Sequence, residues 1–524
     1  MRYYSPFGTA AVVAVVAFML VAGVAVRADS PTYHSKAECL AQYSLGTNLA
    51  PFVDYVSQIP EADAFKASRP WISGSQSAWD DGRKVDVDEH GWVRSLLPGQ
   101  IARTLMFWGR AQDGGVGSHY PVGSYNVYYT GSGTIQYGGS ASLVSSSPGH
   151  DVIRVDPNSG GIMLVISAVT AGNPIKDIQV ILPGCERGQL FNPAFLAQMK
   201  KYKVLRFMDW MLGQARPVFQ ESWETRPTLE SARWSDNGVP VEVMVELCNQ
   251  TGCAPWFCMS HTANDDYVDK FAKVVAAKLN PALPVFVEHS NEVWNNIYPQ
   301  NQYCARQGAS MALASDPNQA TMMYHAIRTK QIGAIFARSI PPNRLVRCLG
   351  AMAANPWIAR VMLQTPDVAS GVDALAVAPY FTLRPPDQTN LPAMTVDQVF
   401  NILSNTNLPG IMDRTAQNGQ LAAQYHLPMI AYEGGQDLVA MGPWQRDAAC
   451  NTLLDNANRD PRMGQLYDRM FQLWNQAGGQ LFVNFTNVSG MGQYGRCGSL
   501  EYMDSDPLQM VKYQALQRYL AAHP

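Results

Sequence analysis

The apolar positions from Phe191 onward fall into short blocks separated by longer amphipathic stretches. The short blocks are rich in β-branched and aromatic residues, which is typical of buried strands. They are Val204–Trp210, Ala254–Ser260, Val285–His289, Leu345–Met352, Ala374–Tyr380, Met429–Glu433 and Leu481–Thr486. Stretches with helical periodicity lie between them, for instance Val239–Asn249, Asp265–Leu279, Gln319–Ser339 and Asp460–Ala477. Alternation of this kind predicts an α/β fold with a parallel sheet and crossover helices.

A further strand is predicted near Asn48, within the stretch Leu45–Tyr55. With it the pattern reaches the eight β/α units of a (β/α)8 TIM barrel, a fold whose catalytic residues lie at the C-terminal ends of the strands. The length favours the same fold, because 524 residues are too many for one ordinary domain unless that domain is a barrel.

The stretch from Asp86 to Pro183 has a different texture. Short alternating runs such as Tyr125–Tyr129 and Thr134–Tyr137 are separated by glycine-rich turns, with few patterns of helical length. This predicts either a small β-sandwich or a β-rich elaboration of the barrel rim. The domain prediction is therefore the start of the barrel at 29–85, a β-rich insertion at 86–185 and the rest of the barrel at 186–524.

The segment Met1–Ala28 combines Arg2, a long apolar run and small or apolar residues around Ala28. These are the features of a secretory signal peptide cleaved near Ala28. An uncleaved N-terminal anchor is the alternative, because the apolar run approaches the ~18 residues of a spanning helix. We expect the mature protein to be secreted or periplasmic, with no membrane association after cleavage.

The nine cysteines suit an oxidising compartment but leave one unpaired. Cys248 and Cys253 are the easiest local disulfide pair, whereas Cys258 lies inside an apolar strand and is expected to be a buried free thiol. Neither the cysteines nor the scattered histidines show metal-ligand spacing. We therefore predict no metal and no cofactor, and the chain has no phosphate-binding glycine loop and no G-x-S-x-G elbow.

Charge excludes some partners. The net charge of -3 gives no electrostatic basis for binding nucleic acid or an anionic membrane surface. Twelve Trp and 23 Tyr suit stacking on sugars, although any single one of them is as easily a core residue. The oligomeric state is not readable from the sequence.

Two stretches end a buried strand on a glutamate. In Pro284–Asn296 (PVFVEHSNEVWNN) the strand breaks into a polar cluster that ends in Asn291-Glu292. In Leu427–Gln436 (LPMIAYEGGQ) the strand is followed by Glu433 and two glycines. Two glutamates at the C-terminal ends of two strands are the minimum equipment for glycoside hydrolysis.

Asn-Glu on the fourth strand, Tyr380 ending the sixth and Glu433 ending the seventh together resemble clan A of the glycoside hydrolases. These retaining (β/α)8 enzymes include many cellulases, mannanases and xylanases. The resemblance covers Phe191–Thr486 and the first strand, and the stretch SNEVWN is similar to uncharacterised secreted cellulase-like proteins. It identifies no family within the clan.

The resemblance implies a role for each matched residue. Glu433 corresponds to the nucleophile and Glu292 to the general acid, which later acts as base. Asn291 would bind the sugar 2-OH, and Tyr380 would hold and orient Glu433. Arg206 matches the arginine that keeps the nucleophile ionised, with an interior salt bridge to Asp209 or another acid as the alternative.

Other strand-end residues are weaker candidates for substrate contacts. They are His261 and His289, with structural hydrogen bonding as the alternative, and the sugar platforms Trp210, Trp256 and Trp294, with core packing as the alternative. Strand alternation does not exclude Glu288 as a catalytic carboxylate. The loop break after His289 and the family position favour Glu292.

The eighth strand departs from the clan pattern. Many members carry a tryptophan there that forms the floor of the sugar-binding site, whereas this chain has Phe482–Asn487 (FVNFTN).

From the paired glutamates and the resemblance, we expect a secreted retaining glycoside hydrolase that acts on a β-linked polysaccharide similar to cellulose or β-glucan. The alternatives are an exo-acting glycosidase or α-L-arabinofuranosidase on the same barrel, or a carbohydrate-binding pseudoenzyme.

Overall fold

The computed structural model describes residues 36–157, 160–211 and 221–523. Within these ranges, eight parallel strands close a barrel in chain order. The first strand pairs with the second and also with the eighth, which closes the ring. We number the barrel strands by their order: Leu45–Asn48, Val204–Arg206, Ala254–Met259, Val285–His289, Leu345–Gly350, Ala374–Val377, Met429–Ala431 and Gly479–Asn484. The predicted (β/α)8 fold is confirmed.

Helices on the outside of the barrel provide the crossovers that parallel strands require. Several begin at a capping residue; for example, Asn264 accepts a hydrogen bond of 2.8 Å from the backbone N–H of Tyr267. The helices are Lys36–Ala41, Pro193–Met199, Val241–Thr251, Asp265–Lys278, Pro299–Ser310, Pro317–Phe336, Pro356–Gln364, Val396–Ile402, Leu408–Gln424, Ala448–Arg459, Pro461–Gln476 and Val511–Ala522.

Alternation along each barrel strand produces two apolar layers. Val204, Trp256 and Phe286 belong to the cluster inside the barrel, whereas Phe257 and Val287 pack between the strands and the helices. Both faces of every strand are therefore buried, which explains why the strands read as continuous apolar blocks in the sequence.

The insertion lies between the first and second barrel strands. Besides a short antiparallel pair, Asp86–Val87 with Val93–Ser95, it forms two four-stranded antiparallel sheets. One contains the strands Ile72–Gly74, Ile101–Met106, Ile162–Val169 and Gly133–Gly139, and the other contains Lys176–Ile181, Gly123–Thr130, His150–Val155 and Ala141–Ser147. Apolar residues of both sheets form one core, so the arrangement is sandwich-like, which is one of the two alternatives that the sequence left open. Its first strand begins at Ile72, earlier than the predicted start of the insertion at residue 86. The sequence pattern did not reveal this strand because three residues are too few to show alternation.

Several barrel strands are shorter than the sequence pattern indicated. The second strand ends at Arg206 and is followed by a short 3-10 turn, Asp209–Met211. Beyond the sixth and seventh strands, Tyr380–Phe381 pairs in parallel with Gly435–Gln436 at the barrel mouth. Polar side chains that the sequence assigned to strand ends therefore lie on the loops just above the barrel.

The cysteine side chains that the structure describes are all free thiols, so the suggested Cys248–Cys253 disulfide is not formed. The Cys253 thiol instead donates to the carbonyl oxygen of Tyr202 at 3.1 Å. Cys258 is a buried free thiol, as expected. The predicted signal peptide lies outside the described residues, and no helix within the described ranges is long and apolar enough to cross a membrane.

Candidate active site

The guanidinium of Arg206 lies at the centre of the barrel mouth and is completely buried. Its Nη1 donates to Glu433 Oε1 at 2.7 Å, and its Nε donates to Glu288 Oε1 at 3.0 Å. It also donates to Asn48 at 2.9 Å and to Asn291 at 2.8 Å. Arg206 thus joins side chains from, or just after, the first, fourth and seventh strands. Its ion pairs are with Glu433 and Glu288, so the alternative of an interior salt bridge to an acid also holds, with Glu288 in place of Asp209.

Glu433 has both carboxylate oxygens engaged. Arg206 binds Oε1, and the hydroxyl of Tyr380 donates to Oε2 at 3.0 Å. Burial raises the pKa of Glu433, while Arg206 and Tyr380 both lower it. A carboxylate that accepts from a guanidinium and a phenol is held in one orientation as an anion.

Glu292 lies in a different environment. Burial, followed by the charge of Glu433, raises its pKa to about 8. Its Oε2 accepts from Asn295 at 3.1 Å, and its backbone φ of 44° lies in the left-handed region, as does that of Ser290 at 60°. Such backbone conformations cost about 1–3 kcal/mol each and cluster at functional sites. Burial raises the pKa of both carboxyl groups, but only Glu433 is bound by a guanidinium and a phenol, which favour its ionised form.

A third carboxylate, Glu288, points into the barrel below this pair. It accepts from Arg206 and from the thiol of Cys258, which is 2.8 Å from Oε1. Alternation along the fourth strand directs Glu288 inward, and its contacts show that its partner is the guanidinium. Glu288 therefore shares the Arg206 guanidinium with Glu433.

Asn291 and Asn48 complete the polar ring, and the sequence analysis assigned no role to Asn48. Its side-chain N–H donates to the carbonyl of Tyr432 at 3.1 Å while its oxygen accepts from Arg206. In Asn291 the oxygen also faces Arg206, whereas the side-chain nitrogen is buried and has no hydrogen-bond partner among the described residues. Asn291 therefore has a donor available for a ligand hydroxyl.

Trp294 follows Glu292 and is half-buried. Its indole N–H donates to the hydroxyl of Tyr432 at 3.1 Å, and the Tyr432 ring lies 5.0 Å from the Arg206 guanidinium. Trp294 is thus fixed to the residue that precedes Glu433, and it remains a candidate sugar platform.

The two histidines are buried against helices. Alternation turns His289 outward, where its Nδ1 lies 2.9 Å from Nδ1 of His325 on a neighbouring helix. His261 packs edge-on against Tyr303, and burial lowers its pKa to about 4. His289 therefore packs between the barrel and the helices, which corrects its prediction. His261 lies on the loop after the third strand, and its contact with substrate stays a prediction.

Trp210 and Trp256 are also completely buried, so neither offers a ring face to a sugar. The indole N–H of Trp210 donates to the carbonyl of Ala50 at 3.0 Å, and its ring packs on Phe52. Trp256 lies inside the barrel and stacks on Phe286 at 5.4 Å between ring centroids. Both are core residues, which corrects the platform prediction.

A cavity of about 870 Å³ adjoins the site between the first and eighth strands. Phe485 lines it and also packs edge-on against Tyr380, 6.3 Å away. This phenylalanine follows the eighth strand, where the clan pattern has tryptophan, and its peptide bond to Thr486 is cis. The described residues contain no cluster of His, Cys, Asp and Glu suited to a metal ion.

No protein-family model matches the chain, and no curated protein matches it. Similar solved structures include a variant of a glycoside hydrolase family 5 mannosidase from Rhizomucor miehei, at 12% identity over 63% of this chain and 89% of that chain, with a TM-score of 0.33. A family 1 β-glucosidase from Thermotoga maritima has 11% identity over 63% and 85%, with a TM-score of 0.32. A broad-specificity endoglucanase from an uncultured bacterium has 13% identity over 62% and 84%, with a TM-score of 0.33.

All three neighbours are glycoside hydrolases by name, the class that the sequence resembles. TM-scores of this size establish no relationship, so the fold assignment depends on the closed barrel itself. No family within the class is identified.

Proposed function

We propose that this protein is a glycoside hydrolase that cleaves β-glycosidic bonds with retention of configuration. The observation that supports this most is the pair of glutamates above the fourth and seventh strands, one tied to a cation and a phenol and the other kept protonated. A retaining reaction requires one carboxylate stabilised as an anion and a second carboxyl group that keeps its proton.

Glu433 attacks the anomeric carbon, and Glu292 donates its proton to the departing glycosidic oxygen. This gives a glycosyl ester on Glu433 and leaves Glu292 ionised. Glu292 then takes a proton from water, whose oxygen attacks the same carbon and releases Glu433. The free N–H of Asn291 binds a sugar hydroxyl beside the reacting carbon, and Tyr380 and Arg206 hold Glu433 in line.

The proposed substrate is a neutral β-linked polysaccharide similar to cellulose or β-glucan, and the proposed location is secreted or periplasmic. An exo-acting glycosidase on the same barrel remains the alternative reaction. A non-catalytic carbohydrate-binding protein is disfavoured by the intact pair of glutamates with their supporting arginine and tyrosine.

The test is hydrolysis of a panel of β-glucan, mannan, xylan and arabinan by the wild type, Glu433→Gln and Glu292→Gln. Glu89→Gln is the control, because the Glu89 side chain is 81% exposed and lies between two short strands of the insertion. We expect activity on one polymer, lost in both site variants and kept in the control. Activity that survives Glu433→Gln would contradict the assignment of the nucleophile.

Two further readouts address the mechanism. A 2-deoxy-2-fluoro glycoside of the preferred sugar should leave an ester on Glu433, detected by peptide mass spectrometry. Because Glu292 must be protonated to act as acid, kcat/KM should fall as the pH rises through about 8. No labelled peptide and inversion of the product anomer would refute the retaining mechanism.

A further inference from the structure

We infer that the cavity between the barrel mouth and the β-sandwich binds the glycone side of a neutral glycan chain, with Trp108 as its stacking platform. This inference rests on the proposed hydrolase function and extends it to the substrate. Its volume of about 870 Å³ is near the upper end of the about 300–1,000 Å³ that ligand pockets occupy, enough for a short oligosaccharide.

The cavity is built jointly by the sandwich and the barrel. Three loops line it: residues 50–57 after the first barrel strand, residues 108–115 between two strands of the sandwich, and residues 485–497 after the eighth barrel strand. The sandwich is therefore part of the substrate cleft rather than a separate module.

Glycines let the backbones of these loops pack directly against one another. A Cβ on Gly109 would lie 2.1 Å from the carbonyl oxygen of Tyr55, and a Cβ on Gly492 would lie 2.4 Å from the carbonyl carbon of Asp113. The backbone of Asp113 also forms a bridge with Gly492, and Gln493 donates to its side chain at 3.1 Å. The wall of the cavity is therefore preformed, which reduces the entropy cost of binding a ligand there.

The lining presents exposed aromatic side chains. Trp108, Tyr55 and Tyr494 line the cavity and are 40%, 49% and 68% exposed. Trp108 stacks on Trp79, with ring centroids 6.3 Å apart, and Arg103 lies 5.3 Å from the Trp79 ring. Aromatic rings that are held in place but open to solvent suit the apolar face of a pyranose. Because these rings are exposed, core packing does not account for them.

The position of the cavity relative to the acid gives the direction of the chain. Glu292 follows the fourth strand, and the acid must lie beside the leaving group that it protonates. The cavity lies between the first and eighth strands, across the ring from the fourth. The cavity is also connected to the proposed nucleophile, because its lining residue Phe485 packs on Tyr380, which donates to Glu433. The sugar units in the cavity are therefore those on the non-reducing side of the scissile bond.

The charges of the lining favour a neutral sugar. Arg69 pairs with Asp54 at 2.8 Å, and Arg110 pairs with Asp113 at 2.7 Å. The lining also includes Asp209. Each of these cations is thus matched by an acid, and a uronate would find no excess positive charge here.

The test measures binding by calorimetry to the Glu433→Gln protein, which is expected to bind glycan without cleaving it. The probes are cellohexaose, mannohexaose and xylohexaose, the matching disaccharides, and a hexamer of galacturonate. We expect one neutral hexamer to bind more tightly than its disaccharide, and Trp108→Ala in this background to weaken that binding about tenfold. Tyr494→Ala serves as a second variant, because its exposed ring can be removed without disturbing the fold.

Trp357→Ala is the matched control: this tryptophan is 41% exposed but does not line the cavity. Equal binding in Trp108→Ala and Trp357→Ala, tighter binding of the galacturonate, or no binding of any probe would overturn the inference. Length-dependent binding that needs Trp108, in a protein whose wild type cleaves none of the probes, would support the inference and refute the proposed hydrolysis.

Discussion

Replacing Glu292 with glutamine should make the protein more stable at neutral pH, although it removes the proposed acid. The native pKa of about 8 lies well above the ordinary value of 4.5, because the carboxyl is buried beside Glu433. Between these two values the unfolded chain is ionised at this position while the native protein keeps the proton. The contribution of Glu292 to stability is therefore fully present below pH 4.5 and is lost as the pH rises towards 8.

The size of the effect follows from linkage. Each pH unit in this window costs about 1.4 kcal/mol. From pH 4.5 to pH 7, wild-type stability should drop by about 3 kcal/mol relative to Glu292→Gln, which cannot ionise. The variant keeps an amide that can still contact Asn295, so any lost contact shifts the comparison by a constant and leaves its pH dependence unchanged.

Urea denaturation of both proteins at several pH values between 4.5 and 8 measures the difference in the free energy of unfolding. The control is Glu89→Gln, because a side chain that is 81% exposed meets nearly the same solvent before and after unfolding. Its difference from the wild type should stay flat with pH. A flat difference for Glu292→Gln as well would show that Glu292 is ionised in the native protein, and would refute its role as acid.

Two further substitutions test the support of the site and the cavity wall. Arg206→Met leaves Glu288 and Glu433 buried without their shared cation, and should cost about 3–5 kcal/mol in the free energy of unfolding, measured by urea denaturation at neutral pH. Gly109→Ala forces a methyl group to within 2.1 Å of the carbonyl oxygen of Tyr55, so the loop must shift and glycan binding in the cavity should fall, as measured by calorimetry.

Each substitution has a matched control. Arg110→Met breaks an exposed ion pair and should cost under about 1 kcal/mol, so a similar cost for Arg206→Met would contradict the central role of that guanidinium. Gly410→Ala adds a methyl group in open space on a helix and should leave glycan binding unchanged. Unchanged glycan binding in Gly109→Ala as well would show that the close packing of this loop against Tyr55 is not needed for binding.

The sequence was informative where chemistry follows local pattern. Glu292 and Glu433 could be located because each follows a short apolar block that only a buried strand explains. The structure brings both to the barrel mouth, with Arg206 and Tyr380 on Glu433. The barrel order was predictable from the alternation of apolar blocks and helical stretches. The β-rich character of the insertion was predictable because turn residues and period-2 alternation are local signals, but its arrangement as a sandwich was only one of two alternatives.

The failures concern which way a residue faces and what lies above the strands. His289 lies on an apolar strand, and one residue of register decides whether it points inward or outward. The orientation of such a side chain depends on the residue at which its strand begins, which the sequence pattern fixes only to within a few residues. Trp256 does point inward, but it is completely buried against Phe286 inside the barrel. Asn48 and Trp108 had no detectable signal, because their partners lie on segments far away in the chain.

The pairing of the first barrel strand has a consequence for protein synthesis. The four residues Leu45–Asn48 pair with the second strand across the whole insertion, and with Phe482–Asn484 near the end of the described chain. Since a ribosome makes the chain from its N-terminus, this strand leaves the exit tunnel long before its partners exist. Its edge towards the second strand can pair once residues 204–206 have emerged. Its other edge stays open until residues 482–484 have been made, so the barrel can close around Asn48 only after the eighth strand has left the ribosome.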